Sequence, residues 1–359
     1  MQAYIVSAIK YRPKDFKDVV GQKAVTDTLE RAIKNNRLAH AFLFCGPKGV
    51  GKTTCARILA RNVNILSHKK EILENNFNVF ELDAASNNSV DDIRNLIDQL
   101  RFPPQQGKYK VYIIDEVHML SQAAFNAFLK TLEEPPEHAI FILSTTEKHK
   151  ILPTILSRCQ IYDFRRISLE NIYKKLKQIA SLEGIKTDIE SLYMIAQHAD
   201  GSLRDALSIF DRLISFSGKQ LTTTLIRDQL GILDQEYYFK SVDLMLSNNI
   251  TGILLLFHEI LQNGFDEKFF IEGLAQHFKY LILAKNSDGL SLMEVVESLK
   301  EKYIQQASIV SKDFLIEAIQ ICHLAYIDYK LSRNPRLSIE ISLIKLSSLK
   351  DTNNPCADN

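Results

Sequence analysis

Residues 46–53 read Gly46-Pro47-Lys48-Gly49-Val50-Gly51-Lys52-Thr53, which matches the phosphate-loop pattern Gly-x-x-x-x-Gly-Lys-Ser/Thr at every fixed position. In such a loop the backbone N–H groups surround the phosphates of a nucleoside triphosphate, and the lysine reaches the β- and γ-phosphates. The hydroxyl that follows the lysine, here Thr53, holds Mg²⁺. The apolar run 41–44 predicts a strand before the loop, and residues 54–60 predict a helix whose N-terminus faces the phosphates. We therefore predict nucleoside triphosphate binding by the loop and by Thr54 at the start of that helix.

Length and composition describe an ordinary soluble protein and favour no particular partner. The chain has 359 residues, enough for two or three domains, and 46% of them are hydrophobic and 24% charged. Because the formal net charge is only +1, any surface for nucleic acid must be a local patch. No apolar stretch is long enough to cross a membrane and the N-terminus has no signal-peptide pattern, so we expect a cytoplasmic protein with no membrane partner.

A second apolar run, residues 111–114, ends in Asp115 and Glu116. This is the Walker B pattern, in which a buried strand ends with its carboxylates facing the phosphate loop. Asp115 would support Mg²⁺, directly or through water, and Glu116 would polarise the attacking water as general base. The alternative is a strand that only meets a solvated acidic turn, and the phosphate loop upstream argues against it.

Polar side chains at three further places could contact the γ-phosphate. Thr145 and Thr146 follow the predicted strand 140–143 and could touch the γ-phosphate or the water, or they could simply cap the strand end. Arg158, within Ser-Arg-Cys, is either a solvated cation or an arginine finger that reaches the ATP of a neighbouring subunit. Arg204, near the start of a predicted helix, is either a surface charge or a contact that reports the state of the nucleotide.

The chain changes character at about residue 167. Before this point strand-like runs alternate with helical stretches, which predicts an α/β fold with a parallel sheet and helices on both faces. The predicted strands are 41–44, 79–82, 111–114, 140–143 and 160–164. After it the strand signals vanish. We predict a nucleotide-binding domain over 1–166, a helical domain over 167–232, a second helical domain over 233–350 and a disordered tail over 351–359.

Longer strings place these motifs in a family context. Taken in order, the phosphate loop, the Asp-Glu pair, the two threonines, Ser-Arg-Cys and Gly-Ser-Leu-Arg resemble an AAA+ ATPase of the clamp-loader group, and within it the bacterial DNA polymerase III gamma/tau family. The strings that carry the resemblance are YRP at 11–13, VGQ at 20–22, DAAS at 83–86, DEVHML at 115–120, FLKTLEEPP at 128–136 and NPRL at 334–337. The resemblance covers roughly residues 4 to 350 and is densest through residue 215.

The resemblance implies a role for each of these motifs. It implies an adenine and ribose pocket lined by Tyr11, Arg12, Pro13, Val20 and Gly21. Thr146, with Thr145, would be sensor 1, Arg204 would be sensor 2, and Arg158 would act in trans. Residues 167–232 would form the AAA+ lid, and the remainder to about 350 would form the collar through which clamp-loader subunits assemble.

The resemblance also implies an activity and partners. Family members hydrolyse ATP with Mg²⁺, assemble with delta and delta-prime subunits and with other copies of themselves, open the ring-shaped sliding clamp, and place it on primed DNA. We expect this chain to be the ATP-hydrolysing motor of such a loader, as the short gamma form or the loader core of a longer tau-like product.

One departure from the family concerns zinc. Relatives commonly carry four zinc-binding cysteines between the phosphate-loop helix and the next strand, whereas residues 62–78 contain none. The five cysteines stand singly and form no CxxC pair; they are Cys45, Cys55, Cys159, Cys322 and Cys356. We therefore expect neither a zinc site nor a disulfide framework.

The expected DNA surface rests on weaker signals. Asn87 and Asn88 precede a predicted helix over 91–100 whose N-terminus could face a backbone phosphate, and Lys130 is a second candidate by resemblance. The alternative for all three is plain solvated surface. His118 we interpret as support for the local fold.

Two other functions remain open at this point. Asp115-Glu116-Val117-His118 also matches the DExH box of helicases, but a helicase needs a second RecA-like domain, and the helical second half predicts none. A loader subunit that binds nucleotide without hydrolysing it is the other alternative, opposed by the presence of Lys52, Thr53, Asp115 and Glu116 together.

Overall fold

Five parallel strands form the sheet that the alternating sequence predicts. The computed structural model describes residues 5–65, 78–100, 102–104, 107–231, 233–293, 295 and 297–349. The strands are β1 Ala41–Cys45, β2 Val79–Asp83, β3 Lys110–Asp115, β4 Ala139–Thr145 and β5 Gln160–Asp163. Their order in the sheet is β2-β3-β4-β1-β5, and every neighbouring pair is parallel. The predicted α/β fold is confirmed.

Helices cover both faces of this sheet. In chain order, the helices of this part of the chain are α1 Ser7–Lys10, α2 Lys23–Lys34, α3 Lys52–Ile65, α4 Val90–Leu100, α5 Gln122–Glu133 and α6 Pro153–Leu156. On one face Phe42 and Ile113 pack with Leu59 of α3. On the other face Leu43 packs with Phe128 of α5. Successive residues of β1 thus point to opposite cores, which is why the central strands are apolar throughout instead of alternating.

The region after residue 167 contains helices and one short strand pair. The helices are α7 Leu169–Glu183, α8 Ile189–His198 and α9 Leu203–Ser217. Ser168 caps α7 by accepting the Asn171 N–H, and Gly184 ends that helix at φ 65°. The expectation that this region contains helices alone was wrong. Strands β6 Lys186–Thr187 and β7 Gln220–Leu221 form a parallel pair. Two-residue strands carry no periodicity, so tertiary packing alone defines them.

The chain divides into two compact units, Met1–Leu221 and Thr222–Asn359. Within its described residues, the second unit is helical. Its helices are α10 Thr223–Leu230, α11 Gln235–Leu246, α12 Ile250–Gln262, α13 Glu267–Ala284, α14 Glu297–Ile309, α15 Lys312–Leu331 and α16 Pro335–Ser347. The predicted boundary at 232/233 lies beyond the division at 221/222, and the domain limits stay predictions.

A buried polar network crosses the core of the second unit. His277 of α13 contacts Gln306 of α14 through Nε2 at 2.9 Å, and Gln306 donates to Asp243 of α11 at 2.8 Å. Burial lowers the pKa of His277 to about 4, so the imidazole is neutral at pH 7. The neutral imidazole and the Gln306 amide are hydrogen-bonded to each other. The network therefore joins three helices without burying a charge on the histidine.

Candidate nucleotide-binding site

The chemistry predicted from separate motifs converges at one edge of the sheet. Parallel strands place their carboxyl ends together, and β1, β3 and β4 are adjacent here. Strand β1 leads into the phosphate loop, β3 ends at Asp115, and β4 ends at Thr145, which lies opposite Cys45 in the register. The fold therefore brings together Lys52, Thr53, Asp115, Glu116 and Thr146, which line one cavity of about 900 Å³.

The glycines of the loop allow a backbone that other residues do not adopt. Gly49 has φ 75° and Gly51 has φ 108°, and both lie in the left-handed region. A Cβ on Gly49 would lie 1.9 Å from the hydroxyl oxygen of Ser202, at the start of α9. Gly49 is therefore required both for the turn and for the approach of α9 to the loop.

Lys52 is held above the loop by the loop itself. Its Nζ donates to the carbonyl oxygens of Gly46 at 2.7 Å and Pro47 at 2.8 Å, and the residue is only 6% exposed. Burial lowers the pKa of Lys52, while the charges of Glu116 and Asp115 act in the opposite direction. The loop thus presents a poorly solvated cation, which interacts more strongly with an anionic ligand than an exposed lysine does. Gly46 and Pro47, predicted as ligand contacts, do not line the cavity and serve as supports for this lysine.

Thr53 and Asp115 form the pair expected to hold a divalent cation. The Thr53 hydroxyl donates to Asp115 Oδ2 at 2.7 Å, and Asp115 Oδ1 accepts the Glu116 N–H at 3.0 Å. A hydroxyl and a carboxylate are hard oxygen ligands of the kind that Mg²⁺ prefers, and Mg²⁺ bound to substrate phosphates uses only one or two such protein groups. The two residues therefore fit a magnesium ion that a triphosphate would bring.

Glu116 is clamped by the end of β4. It has φ 49°, a left-handed conformation that is uncommon outside glycine, and it lies directly after Asp115. Its Oε2 accepts from the Thr146 hydroxyl at 3.0 Å and from the Thr146 N–H at 3.2 Å. Thr146 therefore fixes the direction of the carboxylate that was predicted as general base.

The opposite wall of the cavity comes from the N-terminal segment and from helix α9 with the residues before it. Residues Tyr11, Arg12, Pro13, Val19 and Val20 line it, together with Lys48, Val50 and Thr54 of the loop region. Gly21 was predicted to line the pocket and does not do so. At φ 75°, a Cβ on this glycine would lie 3.0 Å from the Ile167 side chain, so it allows close packing behind the wall. Ile167, Leu203 and Leu207 also line the cavity, and they belong to no sequence motif that would have predicted this.

Arg204 lies beside the phosphate loop. It lines the cavity, and its backbone N–H donates to the Gly49 carbonyl at 3.4 Å. Helix α9 thus begins against the loop, with the arginine on the cavity side. This location agrees with a contact to the terminal phosphate, although that role stays a prediction.

Three family models match consecutive parts of the chain. Residues 21–168 match the model described as DNA polymerase III, delta subunit. Residues 171–219 match DNA polymerase III clamp loader subunit, ATPase lid domain. Residues 221–358 match DNA polymerase III subunits gamma and tau domain III.

Individual relatives decide the family. The DNA polymerase III subunit gamma of Buchnera aphidicola subsp. Acyrthosiphon pisum (strain APS) is 36% identical, and the match covers 96% of this chain and 99% of that protein. This chain belongs to the gamma/tau family of DNA polymerase III subunits. The tau subunit of Bacillus subtilis (strain 168) is 41% identical over 94% of this chain, which spans 62% of that relative's length. The tau subunit of Escherichia coli (strain K12) is 40% identical over 74% of this chain, with 43% of that relative covered.

The solved structure of a RuvB mutant of Thermotoga maritima shares the fold. Its TM-score is 0.50 at 21% identity, and the match covers 66% of this chain and 80% of that one. This likeness shows a shared fold. The predicted AAA+ fold of the gamma/tau chain is confirmed together with its match to the clamp loader ATPase lid model.

Arg158 of the gamma/tau chain does not line its own cavity. Its Nη2 lies 2.6 Å from Glu133 Oε1, and its Nη1 donates to the Thr154 carbonyl at 2.7 Å. The Arg158 side chain stays 32% exposed at the turn before β5. An action in cis on the phosphates has no support in this geometry, and the prediction that it acts in trans is unaffected.

The DNA-contact candidates of the gamma/tau chain occupy surface positions. Lys130 lies exposed on α5, and Asn88 lies exposed before α4. Asn87 is half-buried, and its side chain donates to the Asp83 carbonyl at 3.1 Å. The first turn of α4 carries Asp91 and Asp92, and Asp92 already accepts the Ser89 N–H. These carboxylates offset the positive end of the helix, which weakens α4 as a phosphate site.

Zinc and membrane binding gain no support in the described ranges. There, no cluster of three or more histidine, cysteine, aspartate or glutamate side chains is arranged for a metal. Residues 66–77, within the segment where relatives carry the zinc module, lie outside the described ranges, so the absence of zinc stays a prediction. No described helix combines the length and apolarity that a bilayer span requires.

A buried link that no sequence motif predicts joins the N-terminal segment to helix α9. Asp211 of α9 accepts the Ser7 N–H through Oδ2 at 2.6 Å and the Ser7 hydroxyl through Oδ1. Both residues are buried, and they lie 204 positions apart in the sequence. Helix α1, which leads into Tyr11, is therefore fastened to the helix that carries Arg204.

We expect Asp211→Ala to destabilise this part of the gamma/tau chain and to weaken ATP binding. The substitution leaves two buried donors of Ser7 without an acceptor, which costs about 1–3 kcal/mol of unfolding free energy. Thermal unfolding and an ATP titration would measure both effects. Ser7→Ala removes one of the two bonds and should cost less, and Ser208→Ala, on the exposed face of the same helix, should cost nothing measurable. If Asp211→Ala left both the thermal unfolding and the ATP affinity unchanged, the contact between Asp211 and Ser7 would have no role in shaping the site.

Proposed function

We propose that this chain is the ATP-hydrolysing motor subunit of a bacterial replicative clamp loader, which opens the sliding clamp and loads it onto primed DNA. The observation that carries the proposal is the convergence of Lys52, Thr53, Asp115 and Glu116 on one cavity in a chain of the gamma/tau family. A subunit that only held nucleotide for structural reasons would have no need for a clamped general base beside the cation-binding pair.

Each residue of the site has a distinct task in this proposal. Lys52 would move from the loop carbonyls to the β- and γ-phosphate oxygens, exchanging neutral acceptors for charged ones. Thr53 and Asp115 would hold Mg²⁺, which supplies charge neutralisation at the phosphates when bound. Glu116 would orient and deprotonate the attacking water. Arg204 would reach the γ-phosphate from the lid.

The remaining requirements come from other subunits. We propose assembly with delta and delta-prime subunits and with further copies of this chain, so that Arg158 of one copy reaches the ATP of its neighbour. ATP binding would then favour an assembly that holds the clamp open, because the γ-phosphate is contacted from both sides of the interface. Primed DNA would complete the site, and hydrolysis would release the closed clamp.

The fold does not support a helicase function, which the Asp-Glu-Val-His sequence at 115–118 would otherwise allow. The described part of the second unit consists of helices and offers no second nucleotide-binding sheet.

The test is ATP hydrolysis by the chain assembled with its cognate delta and delta-prime subunits. We expect strong stimulation only when the sliding clamp and primed DNA are both present. Lys52→Ala, as control, should weaken ATP binding by about 100-fold or more, because it removes two or more charge-assisted hydrogen bonds of about 1.5–3 kcal/mol each. Stimulation by any DNA without clamp dependence would indicate a translocase, and an assembly that binds ATP but never hydrolyses it would indicate a structural subunit.

A further inference from the structure

His118 is a buried side chain next to the site that the nucleotide chemistry does not use. It lies in a turn of 3-10 helix, Val117–Met119, directly after Glu116, and its side chain is 6% exposed. It does not line the cavity, so it has no direct contact to a bound nucleotide. A buried imidazole must find polar partners, and the identity of those partners indicates what it does.

The partners of His118 belong to the ends of β3 and β4. Nδ1 lies 3.0 Å from the Thr145 hydroxyl and 3.4 Å from Glu116 Oε2. Nε2 lies 3.3 Å from Glu147 Oε1. The ring therefore bridges the carboxylate after β3 and the carboxylate after β4, with Thr145 between them.

The two sides of the ring have different consequences for Glu116. The Nδ1 side approaches the same oxygen, Oε2, that accepts both hydrogen bonds from Thr146. Within the described part of the chain, Oε1 of Glu116 accepts no hydrogen bond. One oxygen of the carboxylate is thus anchored, which leaves the other to meet a water molecule.

We propose that His118 is a positioning residue for hydrolysis, which holds Glu116 through its Nδ1 side so that Oε1 faces the attacking water. The Nε2 side contacts Glu147, and this contact only holds the imidazole ring in position. This inference rests on the proposed function of Glu116 as general base. A displacement of about 1 Å in a catalytic group lowers the rate by about 100-fold, so the loss of one anchor is measurable.

Two amide variants separate the two sides of the ring. His118→Asn places an amide close to the Nδ1 position, whereas His118→Gln places one close to the Nε2 position. We expect His118→Asn to keep kcat within about 3-fold of the parent and His118→Gln to lower kcat by about 10- to 100-fold, with ATP affinity unchanged in both. His149→Gln is the matched control, because His149 is an exposed neighbour that contacts Glu147 and not Glu116. It should behave like the parent.

Turnover would be measured in the assembly with delta, delta-prime, clamp and primed DNA, alongside ATP affinity and thermal unfolding. Equal losses in both amide variants, losses that follow thermal stability, or an unimpaired His118→Gln would each overturn the proposal. Crystal structures of the two variants provide a readout that does not depend on turnover. The contact between Glu116 Oε2 and the Thr146 hydroxyl should persist in His118→Asn and be lost in His118→Gln. If the parent assembly showed no clamp-dependent hydrolysis, the proposed function would fail, while the anchoring of Glu116 would still be decided by these structures.

Discussion

Arg158→Ala should lower DNA-stimulated ATP hydrolysis by about 10³-fold or more, because a full arginine finger contributes about 10³–10⁵-fold to turnover. ATP affinity of the substituted chain should stay unchanged, since Arg158 does not line that chain's own cavity. The arginine is tethered to Glu133 and to the carbonyl of Thr154, so its guanidinium is displayed at the surface. Glu133→Gln is the matched control. This substitution weakens the ion pair between Glu133 and Arg158 but keeps the arginine, so turnover should remain close to the parent value.

A mixing experiment distinguishes action in trans from action in cis. Assemblies made only of Lys52→Ala chains or only of Arg158→Ala chains should both be inactive. In a mixture, an Arg158→Ala chain with an intact site can receive the arginine of a Lys52→Ala neighbour, so activity should return. If Arg158 acted on its own chain, every site in the mixture would lack one essential residue. A mixture as inactive as the separate variants, or normal turnover in Arg158→Ala alone, would contradict the trans assignment.

Glu116→Gln should lower turnover by about 10²–10⁴-fold while ATP binding and clamp binding are retained. The amide oxygen can still accept from the N–H and hydroxyl of Thr146, so the side chain keeps its place, but it cannot take a proton from water. The assembly should therefore hold the clamp and fail to release it. ATP affinity, clamp retention on primed DNA and single-turnover hydrolysis would measure the three properties.

Glu147→Gln is the control for this substitution. Glu147 lies next to Thr146 in the sequence, but it pairs with Lys150 and does not line the cavity. It should leave hydrolysis near the parent value. Normal turnover in Glu116→Gln would remove this residue as general base, and a loss of ATP binding as large as that in Lys52→Ala would reassign it to nucleotide binding.

Much of the site could be predicted because its parts are local motifs at strand ends. Lys52 and Thr53 follow β1, and Asp115 and Glu116 follow β3, so the parallel arrangement alone brings them to one edge. The motifs could be predicted, but the atomic contacts that their residues make could not. Gly46 and Pro47 support Lys52 through their carbonyl oxygens, and their contact with a ligand stays a prediction. Gly21 packs behind the pocket wall, at a distance that no sequence pattern encodes.

The sequence by itself determined the phosphate loop and the five strands, because each depends on residues within a few positions of one another, and its longer strings indicated the family. Only the tertiary structure decided the contacts between segments far apart in the chain. Asp211 fastens Ser7 across 204 positions, His118 meets Glu147 across two strand ends, and β6 pairs with β7 in a region expected to be helical throughout. The physical reason is that such contacts require shape and burial, which arise only when separate elements pack, and they leave no periodic pattern in the sequence.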